Sequence, residues 1–545
     1  MDAVPDAAAR PSGSPELDER TRRWAYTGVL VTLFLASTNL TVVGTALPRI
    51  IAELDGFSLY AWAFTGFTLA STVSTPIYGR LSDTMGRKRV LMFGVVLFSL
   101  ASVAAGFSVT MGQLVALRVI QGLGGGALMS MAFAVIADVF PPRQRGKYQG
   151  LSGIVWGASS VVGPVIGGVI TDLLGWRWVF FVNVPVALVA LAVLHRHLPG
   201  GDRRPGAAID LPGAALLTVG MLAIMLAFSW SGDGLAWGDA RVWATMLLGV
   251  AAMVAFAAWQ ARSPAPVLPP ELLREPTVAI ANTAGFLLGV GLFGATIYLP
   301  LYIQGVAGLS AAASGFALTP LILGMILSGS LSGIWSSRTG RYRRFVIVGL
   351  TVAVIGFALG TTMGPDTPIA FIVGAMFLLG LGLGPTNAMF LVAVQATAAP
   401  HLLGTATSAH QFFRQVGGTL GVALFGALMA QQAAQTFAID VAPLVAGLPP
   451  TVIATVASPD LLTDPAAAAA AEAAVLPRIG AAAFAAVVDA WRAGLGRGIT
   501  LVFQVSGALA TLAWIATWWA PPLRLADRDA AQDRPGAVAG PQPPI

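Results

Sequence analysis

The chain has 545 residues, of which 56% are hydrophobic and only 10% are Asp, Glu, Lys or Arg, with a net charge of +6. Soluble domains carry about 25% charged residues, so this apolar surplus, at a mean hydropathy of +0.77, excludes a water-soluble particle and requires lipid. The absence of cysteine excludes disulfides, thiol catalysis and cysteine-ligated zinc, and the basic residues fall in short clusters between apolar runs, as in cytoplasmic loops rather than on a nucleic-acid-binding face.

Residues 1–24, rich in Pro, Ala, Asp and Arg, read as a disordered cytoplasmic stretch and not as a signal peptide, because the apolar run that follows is long enough to span. Runs of spanning length lie near 25–50, 59–79, 90–107, 112–139, 150–171 and 179–198, then 208–230 and 241–262. They continue near 277–304, 315–337, 345–363, 367–395, 404–430 and 497–520, which makes about 14 spans. Arg87, Lys88 and Arg89 follow the second run, Arg143, Arg145 and Lys147 the fourth, Arg203 and Arg204 the sixth, and Arg338, Arg341, Arg343 and Arg344 the tenth. The alternate loops carry mostly acids, such as Glu53 and Asp233. All strongly basic loops therefore fall on one side, which places both termini in the cytoplasm of a cell (inner) membrane.

An internal repeat is legible at one spacing. Gly79 and Gly86-Arg87 lie 254 residues before Gly333 and Gly340-Arg341, and Gly163 and Gly167 the same distance before Gly417 and Gly421. This predicts an all-α membrane protein with two parallel six-helix halves, 25–198 and 276–521, a linker at 199–275 carrying two inserted helices, and a disordered tail at 522–545. Within the second half, residues 431–495 form a long outer loop. There Asp464-Pro465 reads as a helix start. Phe484, Val487, Val488 and Trp491 form a stripe that predicts a short amphipathic helix on the membrane or over the outer mouth, too short to span.

Four motifs carry the mechanism. The loop from Gly79 to Arg89 holds glycines for close helix approach and Asp83, which can pair with Arg87 or cap a neighbouring helix, with Asp138 as a second acceptor; Gly86 and Lys88 complete this candidate gate. Arg118 lies inside the fourth span, where a charge is costly and faces a cavity or a partner. The fifth span carries Gly157, Gly163, Pro164, Gly167 and Gly168, small residues that let helices pack closely around a proline. Gln411 and Arg414 sit in a Gln-Phe-Phe-Arg-Gln-Val-Gly-Gly run of the thirteenth.

Taken with Thr45-Ala46-Leu47-Pro48, Trp176-Arg177-Trp178, Asn183-Val184-Pro185 and Leu299-Pro300, these motifs resemble the 14-helix drug:proton antiporters of the major facilitator superfamily, the EmrB/QacA type, over roughly residues 25–520. The resemblance implies export of an amphipathic small molecule by alternating access, by a monomer embedded in the lipid bilayer, with the proton gradient as the energy source to be considered. Cavity walls are expected from spans one, four, nine and twelve, with five and thirteen near the interface of the halves. The candidate contacts are Asn39, Arg118, Gln121, Asn282, Gln304, Asn387, Gln411 and Arg414. For each amide, an interhelical hydrogen bond is the competing role.

One departure bears on coupling. Where that family carries an aspartate in helix one, this chain has Asn39, which cannot exchange a proton, and no acid lies near a midplane; Asp138, Asp172 and Asp210 are peripheral. Weakly coupled export of a lipid or metabolite, and a non-transporting sensor, are therefore alternative readings. No phosphate-binding GxxxxGK[ST] loop and no HExxH pair occurs, so neither ATP hydrolysis, a metal site, a cofactor nor an enzyme activity is expected.

Overall fold

The computed structural model describes residues 18–54, 59–200, 210–232, 239–309, 311–457, 459–462 and 465–521. Arg203, Arg204, Asp233, Asp464, the first 17 residues and the tail after residue 521 lie outside these. Lipid offers no partners to backbone N–H and C=O groups, so a chain this apolar satisfies them within helices. The long helices are α1 (Glu19–Leu54), α2 (Tyr60–Met85), α3 (Arg87–Gly106), α4 (Met111–Val139), α5 (Pro142–Leu174), α6 (Asn183–His197), α7 (Leu211–Gly232) and α8 (Ala240–Gln260). Then come α9 (Pro276–Gly305), α10 (Ala311–Thr339), α11 (Tyr342–Gly360), α12 (Ile369–Thr397), α13 (Leu403–Thr436) and α14 (Pro465–Trp518).

Local chemistry sets their ends. Thr110 Oγ1 accepts from Gln113 N (3.3 Å) at the start of α4, and the Glu275 carboxylate accepts from Val278 N (2.8 Å) at the start of α9. The α1 helix begins earlier than the sequence suggests, correcting the expected disordered segment 1–24 over its last residues. Asp18 Oδ1 accepts from Thr21 N (3.3 Å), and Glu19 pairs with Arg23 one turn on (2.5 Å), which extends the helix into its polar leader.

Among the described residues, 12 helices are long and apolar enough to cross a membrane. Of the expected 14, α2 and α5 fall outside that set although they run for 26 and 33 residues. For α2 the reason is polar sequence, since it buries Ser71, Thr72, Ser74, Thr75 and Ser82; α5 contributes the shorter apolar stretch Val165–Leu174 among the described residues.

The helix pairings repeat. In the first half α1 packs on α5 and α6, α4 on α2 and α3, and α3 on α6; in the second α9 packs on α13 and α14, α12 on α10 and α11, and α11 on α14. The two sets meet along two seams, α2 against α13 and α5 against α10. The inserted pair α7–α8 rests on the first seam, where Leu217, Met221 and Phe256 join Leu69 and Val73 of α2 and Phe412 and Val416 of α13 in one apolar cluster. Both the start of α1 and the end of α14 lie at the basic end. Tyr26 donates to Tyr148 O at the start of α5 (2.9 Å), Lys88 to His195 O at the end of α6 (2.6 Å), and Tyr342 to Pro521 O after α14 (3.1 Å).

The outer loop needs a correction. Phe484, Val487, Val488 and Trp491 do not lie in a separate surface helix: they belong to α14, which runs unbroken from Gly480 to Trp518 and kinks only at Gly480, where φ is 82°. Their stripe points into a small core with Val441, Val445, Val452, Val456 and Val475. Trp491 is 1% exposed, and its Nε1 donates to Val456 O (3.0 Å). Asp489 and Arg492 take the solvent face. Val487 and Trp491 are apolar because they fill this core, so no membrane surface is required to bury them. Trp491→Ala is expected to cost this unit about 3–5 kcal/mol. The check is limited proteolysis of purified protein, with cleavage in residues 437–480 accelerating; an unchanged pattern would mean that the core is not what orders the unit.

Candidate functional site

At the basic end one carboxylate joins the two sets of helices. Asp83, in the last turn of α2, accepts from the backbone N–H of Gly404 (2.8 Å) and Thr405 (2.7 Å) and from Thr405 Oγ1 (2.7 Å), all in the first turn of α13. The free N–H groups of a helix start are its positive pole, so an anion there is bonded and favoured electrostatically. Arg87 stands behind it, 3.6 Å from Asp83 and 2.5 Å from Asp138 at the end of α4, and donates to Ala134 O (2.8 Å). Lys88 of the same motif points away, to α6, and Gly86 supplies the turn between α2 and α3 at φ 88°. The approach depends on glycine: a Cβ on Gly79 would meet Ser408 Cβ at 2.5 Å, and one on Gly404 would meet Asp83 Oδ1 at 2.6 Å.

The second seam repeats the packing without the acid. A Cβ on Gly333 of α10 would meet Gly146 O of α5 at 2.3 Å, and one on Gly150 would meet Ser330 Cα at 2.8 Å. Beside it Gln395, at the end of α12 and 2% exposed, accepts from Gln149 Nε2 (2.7 Å) and donates to Phe133 O and Thr407 Oγ1 (3.2 Å each). Arg145 reaches Gln395 O (3.4 Å). Sequence reading missed Gln149 and Gln395. Their only signal was a pair of amides in otherwise apolar or basic segments.

In the interior of the first half, Arg118 is fully buried. Its Nη1 donates to Asn39 Oδ1 and Gln121 Oε1 (2.7 Å each), its Nε donates to Ala63 O (3.0 Å), and its guanidinium carbon lies 4.4 Å from the centre of the Phe67 ring. Three of the candidates thus form one cluster across α1, α2 and α4.

A second cluster occupies the other half. Asn282 of α9 and His410 of α13 face each other at 3.3 Å, and Arg414 Nε donates to Gln411 Oε1 (3.1 Å). His410, Arg414, Thr386 and the exposed Asn387 line a cavity walled by Leu288, Met325 and Phe390. It leaves about 30 Å³ for an occupant, room for one or two waters. Gln304 does not join: it lies 22 residues beyond Asn282 on α9, about 33 Å along the helix, near the end remote from the basic loops.

The glycines of α5 split between two neighbours. Cβ atoms on Gly163 and Gly167 would strike Thr41 Oγ1 and Thr45 Oγ1 of α1 at 1.9 and 2.3 Å, and one on Gly157 would meet Ile322 of α10 at 2.6 Å. Gly168 faces open space, and Pro164 lies within α5. At the end remote from the basic loops, Glu53 of α1 accepts from Trp176 Nε1 (2.8 Å) and pairs with Arg177, which stacks 4.4 Å over the Trp176 ring. The Arg177 bond first, and then the Trp176 bond, hold the Glu53 carboxyl below its ordinary range. Asp210 is a structural carboxylate: it caps α7 through Gly213 N (2.9 Å) and takes bonds from Trp259 Nε1 (2.8 Å) and Gln260 Nε2 (2.7 Å) of α8.

Each hydrogen bond to a charged group is worth about 1.5–3 kcal/mol, so losing the Asp83 charge should loosen the seam at least tenfold. Ser408→Cys in this Cys-free chain reports it. Its reaction with a water-soluble maleimide should be slow, and should speed up about tenfold or more once Asp83→Asn is added. Equal rates would mean that glycine packing alone holds the seam.

The sequence model of the Major Facilitator Superfamily matches residues 29–422. The multidrug transporter protein MdtP of Bacillus subtilis (strain 168) is 35% identical over 436 residues, covering 80% of this chain and 80% of its own length. Multidrug resistance protein 3 of the same bacterium is 33% identical over 408 residues, 75% of this chain and 80% of its own. Among solved structures, the human organic anion transporter MFSD10 covers 91% of this chain and 99% of its own with a TM-score of 0.59 at 15% identity, a likeness of fold.

Proposed function

The chain belongs to the Major Facilitator Superfamily, and on that premise we propose that this multi-pass membrane transporter exports amphipathic small molecules by alternating access. The relatives named as multidrug transporters support the substrate class. The observation that carries the mechanism is the tie at the basic end: one carboxylate on α2 holds the start of α13 across the seam between the repeated halves. With the basic loops in the cytoplasm, that tie closes the cytoplasmic side and holds the outward-facing arrangement. Breaking it lets the halves rock about the two glycine seams and open inward. The polar clusters at Arg118 and at Arg414 flank the pathway, with α1, α4, α9 and α12 as its walls.

Proton coupling is weak in this reading. Asn39 cannot titrate, Asp138 is ion-paired at the basic end, and Asp210 is committed to capping α7. Drug efflux from proteoliposomes, with and without a pH gradient, tests both parts. Efflux is expected in either condition, with a small gradient effect that grows in Asn39→Asp. No drug movement would overturn the transport reading, and steep gradient-driven accumulation unchanged by Asn39→Asp would overturn the coupling.

Arg118 gives a second test. Arg118→Ala strips a donor from Asn39 Oδ1, Gln121 Oε1 and Ala63 O, each loss costing roughly 1–3 kcal/mol. Arg118→Lys keeps a charge but loses the forked geometry and the stacking on Phe67. Transport by Arg118→Ala should fall by tenfold or more and by less in Arg118→Lys. Near-native rates in both would place the side chain off the pathway.

A further inference from the structure

Arg118 is a buried cation without an anion. Every atom it bonds to is a neutral oxygen, on Asn39, Gln121 or Ala63, and among the described residues no carboxylate pairs with it. On its own helix the nearest acid in that direction is Asp138, 20 residues on and so about 30 Å away. On α1 it is Glu53, 14 residues beyond Asn39, about 21 Å along the axis. Both are engaged, with Arg87 and Arg177. A guanidinium held in low dielectric without a counter-charge is strongly disfavoured.

The hydrogen bonds at the same place are unbalanced in the same sense. Asn39 and Gln121 turn their oxygens onto one guanidinium nitrogen, Nη1. That leaves Asn39 Nδ2, Gln121 Nε2 and Arg118 Nη2 buried with no acceptor. These three atoms sit on side chains that converge on a single nitrogen, and all three are donors. A water would accept from them but would bring two protons of its own and no charge. An anion accepts only, and it neutralises the guanidinium. The Phe67 ring, 4.4 Å from the guanidinium carbon, gives the site an apolar wall, which suits a weakly hydrated monovalent ion better than a strongly hydrated divalent one.

We propose that Arg118, Asn39 and Gln121 bind a small monovalent anion of the halide class as the counter-ion of Arg118. The site goes beyond the export reading, because it concerns an ion held inside the first half and not the exported molecule. An aspartate at position 39 would put a fixed carboxylate beside Arg118 and remove the need for the ion.

The probe is chloride on the full-length chain, purified and free of drug, with Tm read against chloride concentration at constant ionic strength in gluconate. Tm is expected to rise saturably with chloride and with bromide, and Asn39→Asp is expected to show no such rise. No response in the unaltered chain, the result for a site filled by water only, would overturn the proposal, as would an equal response in Asn39→Asp. Should Asn39→Asp fail to fold, bromide anomalous scattering from crystals of the unaltered chain decides. A peak beside Arg118 supports the site and its absence rejects it. Because binding is read without transport, a chain that binds chloride yet moves no drug would sink the export reading and leave this one standing.

Discussion

The arrangement of the two halves depends on a carboxylate meeting a helix start. Asp83 reaches the first turn of α13 because Gly79 and Gly404 bring the two backbones close enough for a side chain of two carbons to span the gap. The pairing is strong for its size. The acceptor is charged, the donors are the unpaired N–H groups of a helix terminus, and Arg87 behind it neutralises the carboxylate from the other side. It is also reversible, since neither partner is covalently bound and both find water when parted. Under the alternating access proposed above, closing and reopening the same seam needs that combination.

The repeat explains why the rest of the interface is nearly symmetric, and where it is not. The spacing of 254 residues relates Gly79 to Gly333 and Gly150 to Gly404, so the α2–α13 seam and the α5–α10 seam are the same packing used twice. The acid is not duplicated: the position corresponding to Asp83 is Ser337. At the second seam the tie is made instead by neutral amides, Gln149 to Gln395, with Arg145 on a carbonyl. One seam therefore carries a carboxylate on a helix start, and the other an amide pair with an arginine on a carbonyl. The polar centres are likewise split, with Arg118 in one half and the His410–Asn282 and Arg414–Gln411 pairs in the other.

Much of this was legible in the sequence because lipid leaves few alternatives. Apolar runs of spanning length become helices, and basic loops mark one end. The glycine–aspartate–arginine loop could be assigned both of its partners, Arg87 and a helix start, from charge alone. The depth of Gln304 was not legible because residue type carries none: an amide at the end of a long helix looks the same as one at its middle. The outer stripe from Phe484 to Trp491 was misplaced because an amphipathic face states that something covers it and not what does. Here the cover is Val475 and, further upstream, Val441, Val445, Val452 and Val456, which no local pattern reveals. Gln395 was missed for the same reason, since its partners come from α4, α5 and α13.

The central claim, that Asp83 holds the basic end shut, is tested most directly by the distance it controls. Spin labels at the exposed positions Met85, at the end of α2, and His401, just before α13, report the separation of the two elements in lipid by pulsed electron resonance. The account predicts one narrow, short distribution for the otherwise unaltered chain and a second, longer population when Asp83→Asn is added. Superimposable distributions would contradict it.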